Sequence, residues 1–355
     1  MVKLSLKLYF CFIFGSWLFH KTIGARMSET VPNVSLLRQL TLHFYKGNLN
    51  FCLMSEDIET MDWDWQQAFL DATVNSKLIQ EYPLSGKFAS LFLKKIIQAL
   101  ETNQEVHDDF YTHLCKSMNY LNKDGFSYRH YVIGEDTNNI ITIKETRNMV
   151  VNGTTGLKTW EAALMLSDWA LCNQNKFVNK NVLELGSGVG FTGITISKLC
   201  NIKSLMLTDC HDDVLKTISE NILINFPHFK QEKDKDISVF RGKDKFLGVM
   251  QLDWNAIEDL HDSIVPDILI GADIVYDPSI LKPLSNCIQT FCARNKHLEV
   301  YIASVIRNEE TFNGFLTTLD ELNLDHENVE LSQSVFIEWD ESINKCLLKI
   351  KAKQK

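Results

Sequence analysis

The chain has 355 residues, 45% of them hydrophobic, which is enough for a large domain with a buried core plus a smaller companion and excludes a wholly disordered polymer. A formal net charge of -9 argues against a broad nucleic-acid-binding surface. The nine cysteines are odd in number and include no C-x-x-C pair, and Cys287 and Cys292 have no second pair to complete a zinc site, so reduced thiols and a cytoplasmic setting are expected.

The first residues contain an apolar run, Leu8 to Phe19, with lysines before it, like the core of a signal peptide. The run is shorter than the roughly 20 residues a membrane-crossing helix needs. Met27 opens an ordinary polar start, "MSETVPNVSLLRQL", so residues 1–33 are read as a leader with Met27 as an alternative start. From Val34 to about Met118 apolar residues recur at helical spacing in "LLRQLTLHFY", "WDWQQAFLDATV", "FASLFLKKIIQAL" and "DDFYTHLCKSM", with "EYPLSGK" as a breaker. This predicts a helical domain over residues 34–125, in which Trp63 and Trp65 are core anchors or, alternatively, a recognition surface.

Asn119 to Asn139 reads as a polar stretch, after which "IITIKET" alternates like a strand and "NGTTGLKTWEAALMLSDWAL" turns into a helix. Beyond it strands and helices alternate. "NVLEL", "SLMLTD", "FLGVMQLDW", "DILIGADIVY" and "LEVYIASVI" are strands, separated by helices from Thr192, in "DDVLKTISENILIN" and around "ILKPLSNCIQTF". Such alternation predicts an α/β fold, a Rossmann-like parallel sheet covered on both faces, with ligands at the carboxyl ends of its strands. "NVELSQSVFIEW" and "CLLKIKAK" are expected to form a C-terminal antiparallel hairpin, and the charged "KQEKDKDISVFRGKDK" a solvated loop.

"NVLELGSGVGFTG", Asn181 to Gly193, is where chemistry enters. Gly188, Gly190 and Gly193 match the dinucleotide spacing G-x-G-x-x-G, a weak signal alone. Glu184, at the strand end before Gly186, would repel a pyrophosphate and attract a ligand bearing an ammonium, which favours the amino-acid nucleoside S-adenosylmethionine. Gly186, Gly188 and Gly190 would let the backbone turn tightly against the ligand, with a purely structural turn as the alternative. Asp209, ending the next strand, can accept both ribose hydroxyls, a role that would also suit NAD. Asp253 can accept from the adenine amino group, and Trp254 offers an aromatic face to the base or packs in the core. Trp160 opens the helix before the first strand and could close over the same pocket.

"VLELGSGVGFTGI", "TTGLKTWEAAL", "QLDW" and "ADIVYDP" resemble the motifs of seven-strand, class I methyltransferases, and among them the family that methylates lysines of non-histone proteins. The likeness runs from about Val34 to Ile350, and "YPLSGKFASLFLKKIIQALE" narrows it towards enzymes that act on translation elongation factor 2. The resemblance implies a methyltransferase domain over residues 140–355. It also implies cofactor contacts from Trp160, Gly186, Ser187, Gly188, Asp209, Trp254 and Ala272, and trimethylation of an elongation factor 2 lysine. Asp273 and Tyr276 correspond to the family's D-x-x-Y element, which shapes the acceptor site.

A free lysine, with a pKa of about 10.4, is only about one part in a thousand neutral in the cytoplasm, a deficit of about 4 kcal/mol. Asp273 is therefore expected to bind and orient the amine rather than take its proton, and Tyr276 to wall the channel. The alternative for Asp273 is a turn cap before Pro278. No metal is expected, since the carboxylates are dispersed and His107, His113, His211 and His261 show no ligand spacing. The helical domain is expected to dock a folded protein substrate, with no membrane or nucleic-acid partner and a monomeric enzyme. Two other readings stay open: methylation of another protein or a small amine, and a non-catalytic protein that binds the cofactor and a partner.

Overall fold

The computed structural model describes residues 34–119, 125–135, 137–234, 236–243 and 245–353; the leader lies outside them. The N-terminal unit is α1 (Val34–Tyr45), α2 (Ser55–Glu59), α3 (Trp63–Ala72), α4 (Lys77–Glu81), α5 (Gly86–Leu100) and α6 (Asp108–Asn119). Side-chain caps start three of these helices: Asp62 accepts from Trp65 N, Ser76 from Ile79 N and Ser85 from Phe88 N. The two tryptophans divide the roles weighed for them. Trp65 is fully buried and stacked on Phe69, whereas Trp63 is 47% exposed and lies against His107.

β1 (Phe126–Val132) and β2 (Ile140–Thr146) form an antiparallel hairpin in which residues 119–139, expected to be polar linker, supply a full strand. The period of two explains its use. Val132 and Ile140 enter the helical core, while Tyr131, Ile133, Ile141 and Ile143 enter the core of the second unit.

The second unit runs α7 (Glu161–Cys172), α8 (Gln174–Phe177), β3 (Asn181–Leu185), α9 (Phe191–Leu199), β4 (Ser204–Asp209), α10 (Asp212–Asn225), β5 (Lys230–Asp234), β6 (Ile237–Arg241), β7 (Phe246–Gln251), β8 (Ile268–Ala272), α11 (Leu281–Arg294), β9 (Glu299–Val305), α12 (Glu309–Glu321), β10 (Leu324–Asn328) and β11 (Lys345–Ala352). Its sheet has the order β10-β11-β9-β8-β3-β4-β7-β6-β5, and β3, β4, β7, β8 and β9 are parallel. Residues of α7, α9 and α10 fill the core on one face and those of α11 and α12 the core on the other, as a doubly wound sheet requires.

Two further expectations change. The charged segment 230–245 is not a free loop: β5 and β6 extend the sheet beyond β7, with Val239 and Phe240 buried while every residue of β5 is exposed. Lysines and acids on an outermost strand discourage pairing with another chain, so the charge suits an edge strand as well as a loop. The C-terminal hairpin exists, but its first strand is β10, ahead of most of "NVELSQSVFIEW", and α12 precedes it.

Residues 329–344 instead form a long connection organised by Asp168 of α7. This carboxylate is buried and accepts from Val335 N at 3.1 Å, Phe336 N at 2.7 Å, Ile337 N at 3.0 Å and Trp339 Nε1 at 3.4 Å. One acid thereby satisfies amides that would otherwise need a neighbouring strand.

Glu184 of β3 is another buried organiser. Its Oε2 accepts from Gly193 N at 3.0 Å. A Cβ on Gly193 would stand 2.6 Å from that oxygen and 2.4 Å from Leu207 Cδ2, so only glycine lets α9 approach β3 and β4 so closely. Burial pushes the Glu184 carboxyl from 4.5 up to about 8.

Because the unfolded chain ionises Glu184 near its ordinary value while the folded chain holds the proton to about pH 8, stability falls as pH rises across that window. Glu184→Gln, which keeps a carbonyl acceptor for Gly193, is expected to stabilise the protein more at pH 8 than at pH 5, by on the order of 3 kcal/mol. Denaturant titrations at the two values check this, and an equal effect at both would contradict the buried, proton-holding carboxyl. Asp168→Ala should cost about 2–4 kcal/mol, with Asp168→Asn less harmful because it keeps an acceptor. Thermal unfolding reads the difference.

Candidate active site at the sheet edge

The chain leaves β3 towards β4 and β7 on one side, then crosses to β8 and β9 on the other, so a crevice opens at the carboxyl end of β3. The residues singled out from the sequence follow the ends of β3, β4, β7 and β8, with Trp160 at the start of α7.

Gly186 and Gly188 follow β3 with φ of +56° and +53°, in the left-handed region. Both are also tightly approached. A Cβ on Gly186 would be 2.8 Å from Ile274 Cγ2, and one on Gly188 would be 3.0 Å from the Gly156 carbonyl oxygen. Gly190 takes the position before α9. Ser187 is buried, its hydroxyl donating to Glu184 O and accepting from Thr208 N, so its side chain ties the turn to β4. Glu184 departs from expectation: its carboxylate is 2% exposed and directed at α9, so it shapes the turn from below rather than meeting a ligand's ammonium at the mouth.

Asp209, ending β4, accepts from Gly188 N at 3.3 Å through Oδ2 and from His211 N at 3.2 Å through Oδ1. Burial raises its pKa, against which those backbone amides work. Each oxygen keeps a lone pair for a further donor. Asp253 is exposed and uses Oδ1 to cap the 3-10 turn Trp254–Asp259 through Asn255 N at 2.9 Å. The Trp254 ring is half-buried, its edge 3.4 Å from where a Gly186 Cβ would stand, so it both packs and borders the turn.

At the end of β8, Ala272 pairs with Ala303 of β9. Asp273 follows with φ +57°, donating from its amide to Ala303 O at 2.8 Å. Its carboxylate is paired within the chain. Arg307 grips it from two nitrogens, Nη1 to Oδ1 at 3.1 Å and Nη2 to Oδ2 at 2.8 Å, and Val305 N adds a bond at 3.2 Å. The Asp273 side chain is only 6% exposed. Turn capping belongs to Asp277, which accepts from Ser279 N and Oγ. Tyr276 is 54% exposed.

Trp160 donates from Nε1 to Thr155 O at 3.0 Å, and its ring lies 5.4 Å from Arg307 Cζ and 5.3 Å from Lys158 Nζ. The segment 154–160 therefore touches the glycine turn through Gly156 and the Asp273–Arg307 pair through Trp160. Sequence reasoning missed Arg307, Lys158 and Gly156. Arg307 stands just beyond β9, so the strand-end rule that located Asp209 would have found it.

The residues fit S-adenosylmethionine: a bare backbone turn that added Cβ atoms would obstruct, two acceptor carboxylates after β4 and β7, and an indole beside the turn. Among the described residues no group of three or more His, Cys, Asp or Glu could hold a metal, and no helix is long and apolar enough to cross a membrane.

Comparison with known proteins shows the family. A family model described as lysine methyltransferase matches residues 136–322, more than half of the chain. The chain is 30% identical over 298 residues to protein-lysine N-methyltransferase EEF2KMT of Homo sapiens, covering 82% of this chain and 88% of that one. It is 31% identical to the Mus musculus protein of the same name, covering 80% and 83%. It is 27% identical to protein-lysine N-methyltransferase EFM3 of Saccharomyces cerevisiae, covering 67% and 69%. Among solved structures, Trm1 from Pyrococcus horikoshii with S-adenosyl-L-methionine aligns with a TM-score of 0.42 at 12% identity, covering 63% and 62%. With the matching family model and the relatives that span most of its length, this chain belongs to the lysine methyltransferase family and is an S-adenosylmethionine-dependent protein-lysine N-methyltransferase.

Proposed function

We propose that the acceptor is a lysine of translation elongation factor 2, carried to trimethyllysine in the cytoplasm by a monomeric enzyme whose helical unit over 34–125 docks the substrate. The relatives named EEF2KMT, aligned across both units, support the substrate. The observation that carries the site assignment is the meeting of the Gly186–Gly188 turn, Trp160 and the Asp273–Arg307 pair at one edge of the sheet.

When bound, S-adenosylmethionine supplies a methyl group on a sulfonium, and one displacement passes it to nitrogen. Gly186, Ser187, Gly188 and Gly190 would hold the methionine part by backbone approach. Asp209 would accept from the ribose hydroxyls and Asp253 from the adenine amino group, and Trp254 would offer its face to the base. Ala272 at the end of β8 would border the cofactor, and Trp160 would cover its reacting end. Glu184 contributes by setting the turn.

The acceptor amine must arrive neutral, with its lone pair in line with the methyl carbon. A free carboxylate beside it would stabilise the ammonium and oppose proton loss. Arg307 cancels that charge at Asp273, so the amine meets a neutral ion pair, with Tyr276 and Trp160 as aromatic walls and water as the proton's destination.

Labelled methyl transfer from the cofactor into a lysate, followed by mass mapping, tests the substrate: one elongation factor 2 lysine gaining up to three methyl groups is expected. Label on another acceptor, or none, would replace this reading by one of the two alternatives. Asp273→Ala should lower kcat by about 10²-fold with cofactor affinity unchanged. Arg307→Gln should move the acidic limb of the kcat profile to higher pH and recover activity in alkali, whereas a loss uniform across pH would assign Arg307 a merely structural part.

A further inference from the structure

A cleft of about 310 Å³ opens where the end of α1, the start of α5, the β1–β2 hairpin and the segment before α7 meet. It is cationic in a chain whose net charge is -9: Lys46, Arg129, Arg147 and Lys158 line it, against a single carboxylate, Glu145. That carboxylate is already engaged. It is buried, accepts from Thr159 N at 3.0 Å and the Tyr131 hydroxyl at 3.3 Å, and lies 3.7 Å from Arg129 Nη1.

Lys46 pairs with Glu338, a residue whose side chain is 77% exposed, and exposed pairs of this kind exchange partners at little cost. Arg147 and Lys158 have no ion-pair partner among the described residues; Arg147 is exposed and Lys158 only borders the Trp160 ring. The start of α5 adds to the same field. Leu84, Ser85 and Phe88 line the cleft, and the first turn of this helix holds no acid to offset the partial positive charge of its amino terminus.

We propose that this cleft is the docking groove for an acidic stretch of the protein substrate lying a short way along the chain from the acceptor lysine. The inference rests on the reading that Trp160 and Asp273 border the acceptor, and Lys158 links the two places: it lines the cleft and also reaches the Trp160 ring. An occupant would touch the helical unit and the methyltransferase unit together. Recognition by both units gives the α1–α6 unit a direct part in substrate choice. An acidic peptide is favoured over a polynucleotide because the group to be methylated belongs to a protein and the cation set is local, within an acidic chain.

The test uses the full chain with Arg147→Glu, and Arg147→Lys as the conservative partner. Arg147 is exposed and unpaired, so folding should be preserved, and thermal unfolding verifies it. Arg147→Glu is expected to raise KM for the protein acceptor about tenfold with kcat nearly unchanged, while S-adenosylhomocysteine binding measured by calorimetry stays the same. Arg147→Lys should restore most of the affinity, and the wild-type KM should climb with salt more steeply than that of Arg147→Glu. A short Glu-rich peptide should compete with the protein substrate on the wild type and not on Arg147→Glu. An unchanged KM, or inhibition by a short RNA where the Glu-rich peptide has no effect, overturns the proposal. If Asp273→Ala retains turnover, the acceptor-site reading fails and the groove falls with it; if Asp273→Ala is inactive while Arg147→Glu behaves as wild type, the groove alone is wrong.

Discussion

The contact between the Glu184 carboxyl and the amino terminus of α9 sets the active edge. It draws the helix onto β3 and β4 so closely that position 193 has no room for a side chain, and the intervening turn bends through three left-handed glycines, Gly186, Gly188 and Gly190. From that bend follow the amide of Gly188 on Asp209, the hydroxyl of Ser187 on β4 and the nearness of Trp254 to Gly186. A carboxyl held largely protonated at neutral pH is well suited to this place, because it bonds the helix without leaving an unpaired charge beneath the crevice.

Asp168 and Asp273 apply the same physics elsewhere. Each is a nearly buried acid whose oxygens are filled by the protein itself, by amides of the 335–337 stretch in one case and by Arg307 and Val305 in the other. For a methyl transfer to nitrogen this matters, since the reactive amine is the uncharged one. An acid held by arginine can orient the strand exit while exerting a weaker pull on the acceptor's proton than a free acid would.

The β1–β2 hairpin couples the units by alternation alone, odd and even residues serving different cores. The cleft beside it, the 154–160 segment and Trp160 then lie in sequence between the helical unit and the Asp273–Arg307 pair.

By itself the sequence determined the α/β class, the parallel strands and the places of the proposed site residues along them. Hydrophobic period and strand-end position are local properties, so "NVLELGSG", "MLTDC", "LDW" and "GADIVY" could be placed without coordinates. It left β1 hidden because "SYRHYV" mixes polar and apolar residues that face two different cores, and it concealed β5 and β6 because charge on an edge strand looks like charge on a loop. Only the tertiary structure decided which way each carboxylate points. Glu184 turned inward, Asp273 found Arg307 some thirty residues away, and Asp168 reached amides far along the chain; such partners are chosen by the packing of distant segments, which no local pattern encodes.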